Sequence, residues 1–260
     1  MKVKEIMTKD VIYVDKDVDL KYVLKLMKKN SITKIPVVEE KKVIGVITDN
    51  TLAVKLGSIR NRGVPASRLH ASSVVNKELT TITPDQEIKT ILSTVGEPGP
   101  TMLTVVENEE IKGVITKADL LPLVDSTTQV KEIMREQIYS VSPDDRVIHA
   151  RRLLIDRNIA RLPVINNGIL IGIISDIDIT FALAKLKKSF PLGKQKHQLE
   201  ELLVNDAMQV PAISIDAGKT VKDAAELMLE ENVGCLPVIQ NEKIIGILSR
   251  TDVVKTISLD

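Results

Sequence analysis

The chain has 260 residues, 43% hydrophobic and 27% charged, a globular and not a disordered composition with room for two ordinary domains. Lys+Arg number 36 against 35 Asp+Glu, so a formal charge of +1 supplies no basic field for nucleic acid, and 2% aromatics are too few for a base-stacking platform. One Cys excludes an internal disulfide and a multi-cysteine zinc site, and the three His (His70, His149, His197) are too far apart to suggest a metal. With no apolar signal segment at the start and no run near the ~18 apolar residues of a membrane helix, the sequence reads as soluble and cytoplasmic.

The opening string Val-Lys-Glu-Ile-Met at 3–7 returns at 130–134, and a shift of 127 residues also brings Pro36 onto Pro163, Gly45 onto Gly172, Thr48 onto Ser175 and Asp49 onto Asp176. Two further copies emerge on the same template. From the anchors Pro36, Thr104, Pro163 and Pro237, a glycine follows nine residues later: Gly45, Gly113, Gly172 and Gly246. Three residues beyond each glycine is a hydroxyl (Thr48, Thr116, Ser175, Ser249), and sixteen before each anchor is an aliphatic (Leu20, Ile88, Val147, Val221).

Each copy predicts the same elements. An extended start (11–14, 79–82, 138–141, 212–215) leads through a turn, with Pro84 and Pro143 in two copies, to Asp17, Asp85 and Asp144 where a helix would be capped. The helix carries apolar residues at i, i+3, i+4 and i+7: Leu20, Val23, Leu24, Met27 in the first copy and Val221, Ala224, Ala225, Met228 in the last. Two β runs with a tight polar connection follow, such as 35–38 with 43–48 and 236–239 with 244–249, and a second, shorter helix comes after the hydroxyl. The copies lie at 1–57, 66–124, 130–184 and 204–260, and the inter-repeat segments at 57–65, 125–129 and 185–203; the last is Lys-rich and reads as a solvated linker. One such unit is small for a core of its own, so pairing is expected, giving modules 1–124 and 130–260.

The copies end on Gly113-Val-Ile-Thr116-Lys-Ala-Asp119, Gly172-Ile-Ile-Ser175-Asp-Ile-Asp178 and Gly246-Ile-Leu-Ser249-Arg-Thr-Asp252, with Gly45-Val-Ile-Thr48-Asp-Asn-Thr51 in the first. This ending, preceded by an aliphatic-Pro-Val strand, resembles that of the cystathionine-β-synthase (CBS) domain family, and the likeness covers nearly the whole chain. The resemblance implies an α/β fold of four tandem β-α-β-β-α CBS repeats forming two pseudo-two-fold Bateman modules packed as a disc. That arrangement is similar to the γ subunit of AMP-activated protein kinase and its stand-alone archaeal relatives. It also implies a non-catalytic regulatory protein, with no catalytic cofactor, that binds an adenine nucleotide (AMP, ADP or ATP) in clefts between paired repeats. An unidentified effector protein would read the result, and the chain would be able to dimerise.

In the family the motif Asp takes the ribose hydroxyls, the motif hydroxyl faces the phosphate, and adenine lies between strands against main-chain groups. The matching residues are Asp252, Ser249, Ile213, Val233 and Gly234 in the fourth copy, Asp178, Ser175, Tyr139, Ile159 and Ala160 in the third, and Asp119 and Thr116 in the second. The first copy has Thr51 in place of Asp, and the irregular Gly96-Glu-Pro-Gly-Pro100 alters the pocket wall of the second.

Phosphate needs cations, and their placement ranks the sites. Lys34 and Arg161 stand two residues before their anchors, and Lys117 and Arg250 one after their hydroxyls, where the odd copies have Asp49 and Asp176. By the resemblance Asp119 is expected to face Lys34, and Asp252 to face Arg161. The Ser249/Asp252 site with Arg161 and Arg250 ranks first, and the Thr116/Asp119 site with Lys34 and Lys117 second. Arg151 replaces an aliphatic of the other copies and reads as a snorkelling arginine at a module interface, and Cys235 as a small core residue. The Ser/Thr-x-x-Asp spacing is equally a helix capping box that needs no ligand. S-adenosylmethionine or another adenosyl ligand, and a ligand-free scaffold, stay open. An enzyme lacks support, since the sequence has no Ser-His-Asp set, no carboxylate cluster for Mg²⁺ and no GxxxxGK[ST] loop.

Overall fold

β-Branched residues on either side of a tight turn set up one antiparallel hairpin per repeat. The computed structural model describes residues 1–40, 42–58, 64–97, 101–189 and 201–258. The first repeat runs α1 (Val3–Ile6), β1 (Val14–Asp15), α2 (Leu20–Asn30), β2 (Lys34–Glu39), β3 (Lys42–Thr48) and α3 (Asp49–Leu56). In the second, β4 (Thr81–Ile82) precedes a 3-10 turn at Ile88–Thr90, α4 (Leu92–Val95), β5 (Met102–Glu107), β6 (Glu110–Thr116) and α5 (Lys117–Leu120). The third has α6 (Val130–Ile133), α7 (Val147–Arg157), β7 (Arg161–Asn166), β8 (Ile169–Ser175) and α8 (Asp176–Ser189). The fourth has β9 (Ile215–Asp216), α9 (Val221–Glu230), β10 (Cys235–Gln240), β11 (Lys243–Ser249) and α10 (Arg250–Val254). The hairpin turns take positive φ at Asn108 and Glu109, at Asn167 and Gly168, and at Asn241 and Glu242, as a twist-matched two-residue turn requires.

Several expectations are corrected. The extended starts shrink to two paired residues, or in the third repeat to a single parallel bridge, Val141 with Val164. Asp17, Asp85 and Asp144 lie in the turn ahead of the helix. The cap of α2 is Asp19, which accepts from the Tyr22 N–H at 2.8 Å, while Asp85 pairs with Lys2 and Lys4. The second helix is not always the shorter, because α8 has 14 residues against 11 in α7. The segments at 57–65, 96–100 and 185–203 fall partly outside the described residues.

The first two repeats share one sheet, ordered β1-β2-β3-β6-β5-β4 and joined where Lys42 faces Glu110; in the third and fourth, β8 and β11 lie side by side. Each repeat's leading segment crosses to the other repeat of its pair. Thr8 bridges to Val114, Asn76 to Val46, Arg135 to Ile247 and Gln209 to Ile173. The four motif glycines exist for this crossing. A Cβ on Gly45 would sit 2.3 Å from the Asn76 carbonyl oxygen, and one on Gly172 2.6 Å from that of Gln209. On Gly113 and Gly246 the Cβ would press on the sulfur of Met7 at 2.6 Å and of Met134 at 2.5 Å.

Two hydrophobic cores result, and each runs between the halves of the chain. One holds Leu103 and Ile115 of the second repeat with Leu236 and Leu248 of the fourth, and the other Ile35 and Ile47 of the first with Leu162 and Ile174 of the third. Helix α3 packs on α8, and α5 on α10, across that boundary.

Candidate functional site

Every second hairpin strand ends on the motif hydroxyl, which caps the helix that follows. Across the ladder stand Lys34 opposite Thr48, Met102 opposite Thr116, Arg161 opposite Ser175 and Cys235 opposite Ser249. The first helical N–H turns back to the residue ahead of the hairpin: Asp49 donates to Thr33 O (2.9 Å), Asp176 to Ala160 O (3.3 Å) and Arg250 to Gly234 O (3.1 Å). This geometry brings the motif hydroxyl and a helix N-terminus together in each repeat, with the motif carboxylate beside them in the second, third and fourth.

The capping reading is present in full. One oxygen of Asp119 accepts from Thr116 N at 2.7 Å and from its hydroxyl at 2.8 Å. Asp178 does the same with Ser175 and Asp252 with Ser249, each backbone bond measuring 2.9 Å. In the first repeat Thr51 takes the place of the acid, accepting from Thr48 N at 3.0 Å. The other carboxylate oxygen is held by the crossing segment: Thr8 donates to Asp119 at 2.7 Å, Gln209 to Asp178 at 2.6 Å, and Arg135 to Asp252 through two nitrogens at 3.1 and 3.0 Å. Sequence reasoning missed these three donors. Their signal was available, since Thr8 and Arg135 each directly follow the repeated Val-Lys-Glu-Ile-Met string.

Cations from different repeats converge beside these caps. Lys34 lies within electrostatic range of Asp49, Arg161, Arg250 and Asp119, and burial pushes its amine below the usual lysine range. Burial, then the charge of Lys34, brings Lys117 down to about 8; its amine donates to Glu97 O at 2.7 Å, and Asp252 is among the charges it feels. Burial and then Arg161 bring Arg250 down to about 10, with Asp119 opposing. The second and fourth repeats therefore lend cations to each other's motif carboxylate across the α5–α10 packing, a pairing the sequence ranking had assigned within each repeat. Arg250 donates to Met228 O at 3.2 Å and to Asn232 Oδ1 at 3.3 Å, while its Nε is buried with no partner among the described residues.

Arg161 lies against the fourth repeat, where a Cβ on Gly234 would come within 2.7 Å of its guanidinium. Arg151 reaches α3 of the first repeat in the same way, over Gly57. The first and third repeats each place an acid here. Asp176 is 2% exposed and raised to about 6, by burial and then by Asp49, which burial also raises. Ile213 and Val233 border one core, Tyr139 and Ile159 the other, and Arg157 covers the Tyr139 ring at 4.8 Å. Cys235 is a buried free thiol. A depression of 740 Å³ along α7, lined in part by His149 and Arg152, includes none of these motif residues. Among the described residues no group of three or more His, Cys, Asp or Glu could hold a metal, and no helix is long and apolar enough to cross a membrane.

The CBS-domain family model matches residues 3–57, 71–126, 130–185 and 204–259. The chain belongs to the CBS-domain family. The crystal structure of protein MJ1225 from Methanocaldococcus jannaschii superposes with a TM-score of 0.85 at 22% identity, covering 99% of this chain and 100% of that one, a likeness of fold. By sequence MJ1225 is 24% identical over 272 residues, 95% of each chain. Protein MJ1404 of the same organism is 27% identical over 266 residues; the match takes in 98% of this CBS chain and only 62% of the length of MJ1404.

Proposed function

We propose that this CBS protein is a non-catalytic regulatory sensor that binds adenine nucleotides (AMP, ADP or ATP) between its paired repeats, with modules 1–124 and 130–260 packed as a disc. One observation carries the reading: Lys34, Lys117, Arg161 and Arg250 crowd together from four repeats, and Arg250 Nε has no partner among the described residues. Burying like charges together is costly, and an anion relieves it. Asp119 and Asp252 take ribose, Thr116 and Ser249 face phosphate at the helix N-termini, and Ile213, Val233 and Gly234 border adenine in the fourth repeat. Asp178, Ser175, Tyr139, Ile159 and Ala160 form the corresponding set in the third. An effector protein in the cytoplasm reads the bound state.

Calorimetry on single variants tests this. Asp119→Ala and Asp252→Ala should each weaken AMP at one site by about 1.5–3 kcal/mol, the value of hydrogen bonds to a charged group. Arg161→Ala should weaken AMP more than adenosine, which has no phosphate. Unchanged AMP affinity in both aspartate variants, with only the loss of about 1 kcal/mol of stability that a missing cap brings, would make the motifs caps and nothing more.

A second reading has its own support in the third repeat. There Asp176, with Asp49 of the first repeat beside it, stands where the even repeats have a cation, so that site suits an adenosyl ligand without phosphates, such as S-adenosylmethionine.

A further inference from the structure

The three motif aspartates differ in how much acceptor capacity they have left. A carboxylate offers about four acceptor positions. Among the described residues, Asp119 spends three, on Thr116 N, the Thr116 hydroxyl and the Thr8 hydroxyl. Asp178 also spends three, on Ser175 N, the Ser175 hydroxyl and the Gln209 amide. Asp252 spends all four: Ser249 N and hydroxyl on one oxygen, Arg135 Nε and a terminal guanidinium nitrogen on the other. The neutral side chains at this crossing position, Thr8, Asn76 and Gln209, make Arg135 the exception.

We propose that Arg135 is a latch that holds the fourth repeat's ribose site closed until a ligand displaces it. This rests on the reading of Asp252 as a ribose acceptor. Arg135 is placed for the task by its backbone, which exchanges both bonds with Ile247 at 2.9 Å and fixes the side chain beside the motif. Its side chain is 52% exposed while that of Asp252 is 11% exposed, so the arginine sits on the solvent side of the acid and can swing away without unpacking the core. A ribose with two vicinal hydroxyls needs acceptor positions that only Arg135 can release, because the Ser249 donors also cap α10. The second and third sites already have one position open and hold the other through a neutral donor. The fourth site thus answers to higher ligand concentration than its carboxylate alone would dictate.

The test measures adenosine binding to the full chain by calorimetry in the parent, Arg135→Thr, Arg135→Gln, Asp252→Ala and the Arg135→Thr/Asp252→Ala pair. Threonine and glutamine are the uncharged side chains that the leading segments of the first and fourth repeats carry at this position, in Thr8 and Gln209, and both suit a half-exposed position. Arg135→Thr and Arg135→Gln should each tighten adenosine at one site by roughly two- to fivefold, the upper range of an exposed ion pair. Adding Asp252→Ala should abolish that gain. If Asp252→Ala weakens adenosine but neither Arg135 variant tightens it, the site stands and the latch is overturned. If Asp252→Ala changes nothing in either background, the ribose reading of this site falls and takes the latch with it.

Discussion

Asp176 shows what burial does to one carboxyl group. Only 2% exposed, it faces Asp49 from α3, with Arg151 from α7 and Arg161 from β7 opposing and the Asn50 amide donating at 3.4 Å. Its ionisation moves from 3.8 to about 6, so between those values the native chain holds a proton that the unfolded chain has released. Stability from this group is therefore intact below the unfolded value, falls as the pH rises through the window, and its deficit is complete above about 6. Asp176→Asn should raise the melting temperature at pH 7.5, by a stabilisation of at most about 3 kcal/mol, and the gain should fade as the pH is lowered toward 4. A gain independent of pH in thermal melts would mean that the carboxyl is ionised in the fold at all these values.

At the scale of elements, the crossing segments impose demands that differ between repeats. Against Gly45 and Gly172 stand backbone carbonyls at 2.3 and 2.6 Å, which cannot move without breaking the Val46–Asn76 and Ile173–Gln209 bridges. Against Gly113 and Gly246 the nearest atoms belong to Met7 and Met134, whose unbranched side chains can turn aside. Gly45→Ala and Gly172→Ala should thus cost about 1–3 kcal/mol, and Gly113→Ala and Gly246→Ala less, as read from urea unfolding midpoints. The repeat itself was legible because hairpin, glycine and capping hydroxyl are set by local chemistry at fixed spacing. The destination of the leading segments was not, since the apolar Val3 and Val130 pattern alike whether they pack on their own repeat or its partner. The same limit hid Thr8, Gln209 and Arg135 from the site, and exchanged the expected partners of Lys117 and Arg250. The helix caps were misplaced by two residues in the first copy because several Asp residues crowd one turn, and Asp19 is the one whose oxygen reaches the Tyr22 N–H.

In the whole molecule neither half of the chain owns a core. Leu103 and Leu236 share one and Ile35 and Leu162 the other, so a break within 125–129 would divide both. Two chains divided there and expressed together should sediment as one complex, and each alone should melt at lower temperature or self-associate through its bared apolar face. Halves that sediment apart and melt as the intact protein does would contradict the shared cores. The crossing segments carry one more implication, for a repeat taken alone. A single repeat has a strand whose glycine is shaped to receive a segment that the same repeat sends elsewhere. A gene encoding one copy could complete that strand only by trading segments with a twin molecule. Several copies on one chain make that trade within the molecule, and each copy can then carry its own residue at a shared position, as Thr51 and Arg135 do.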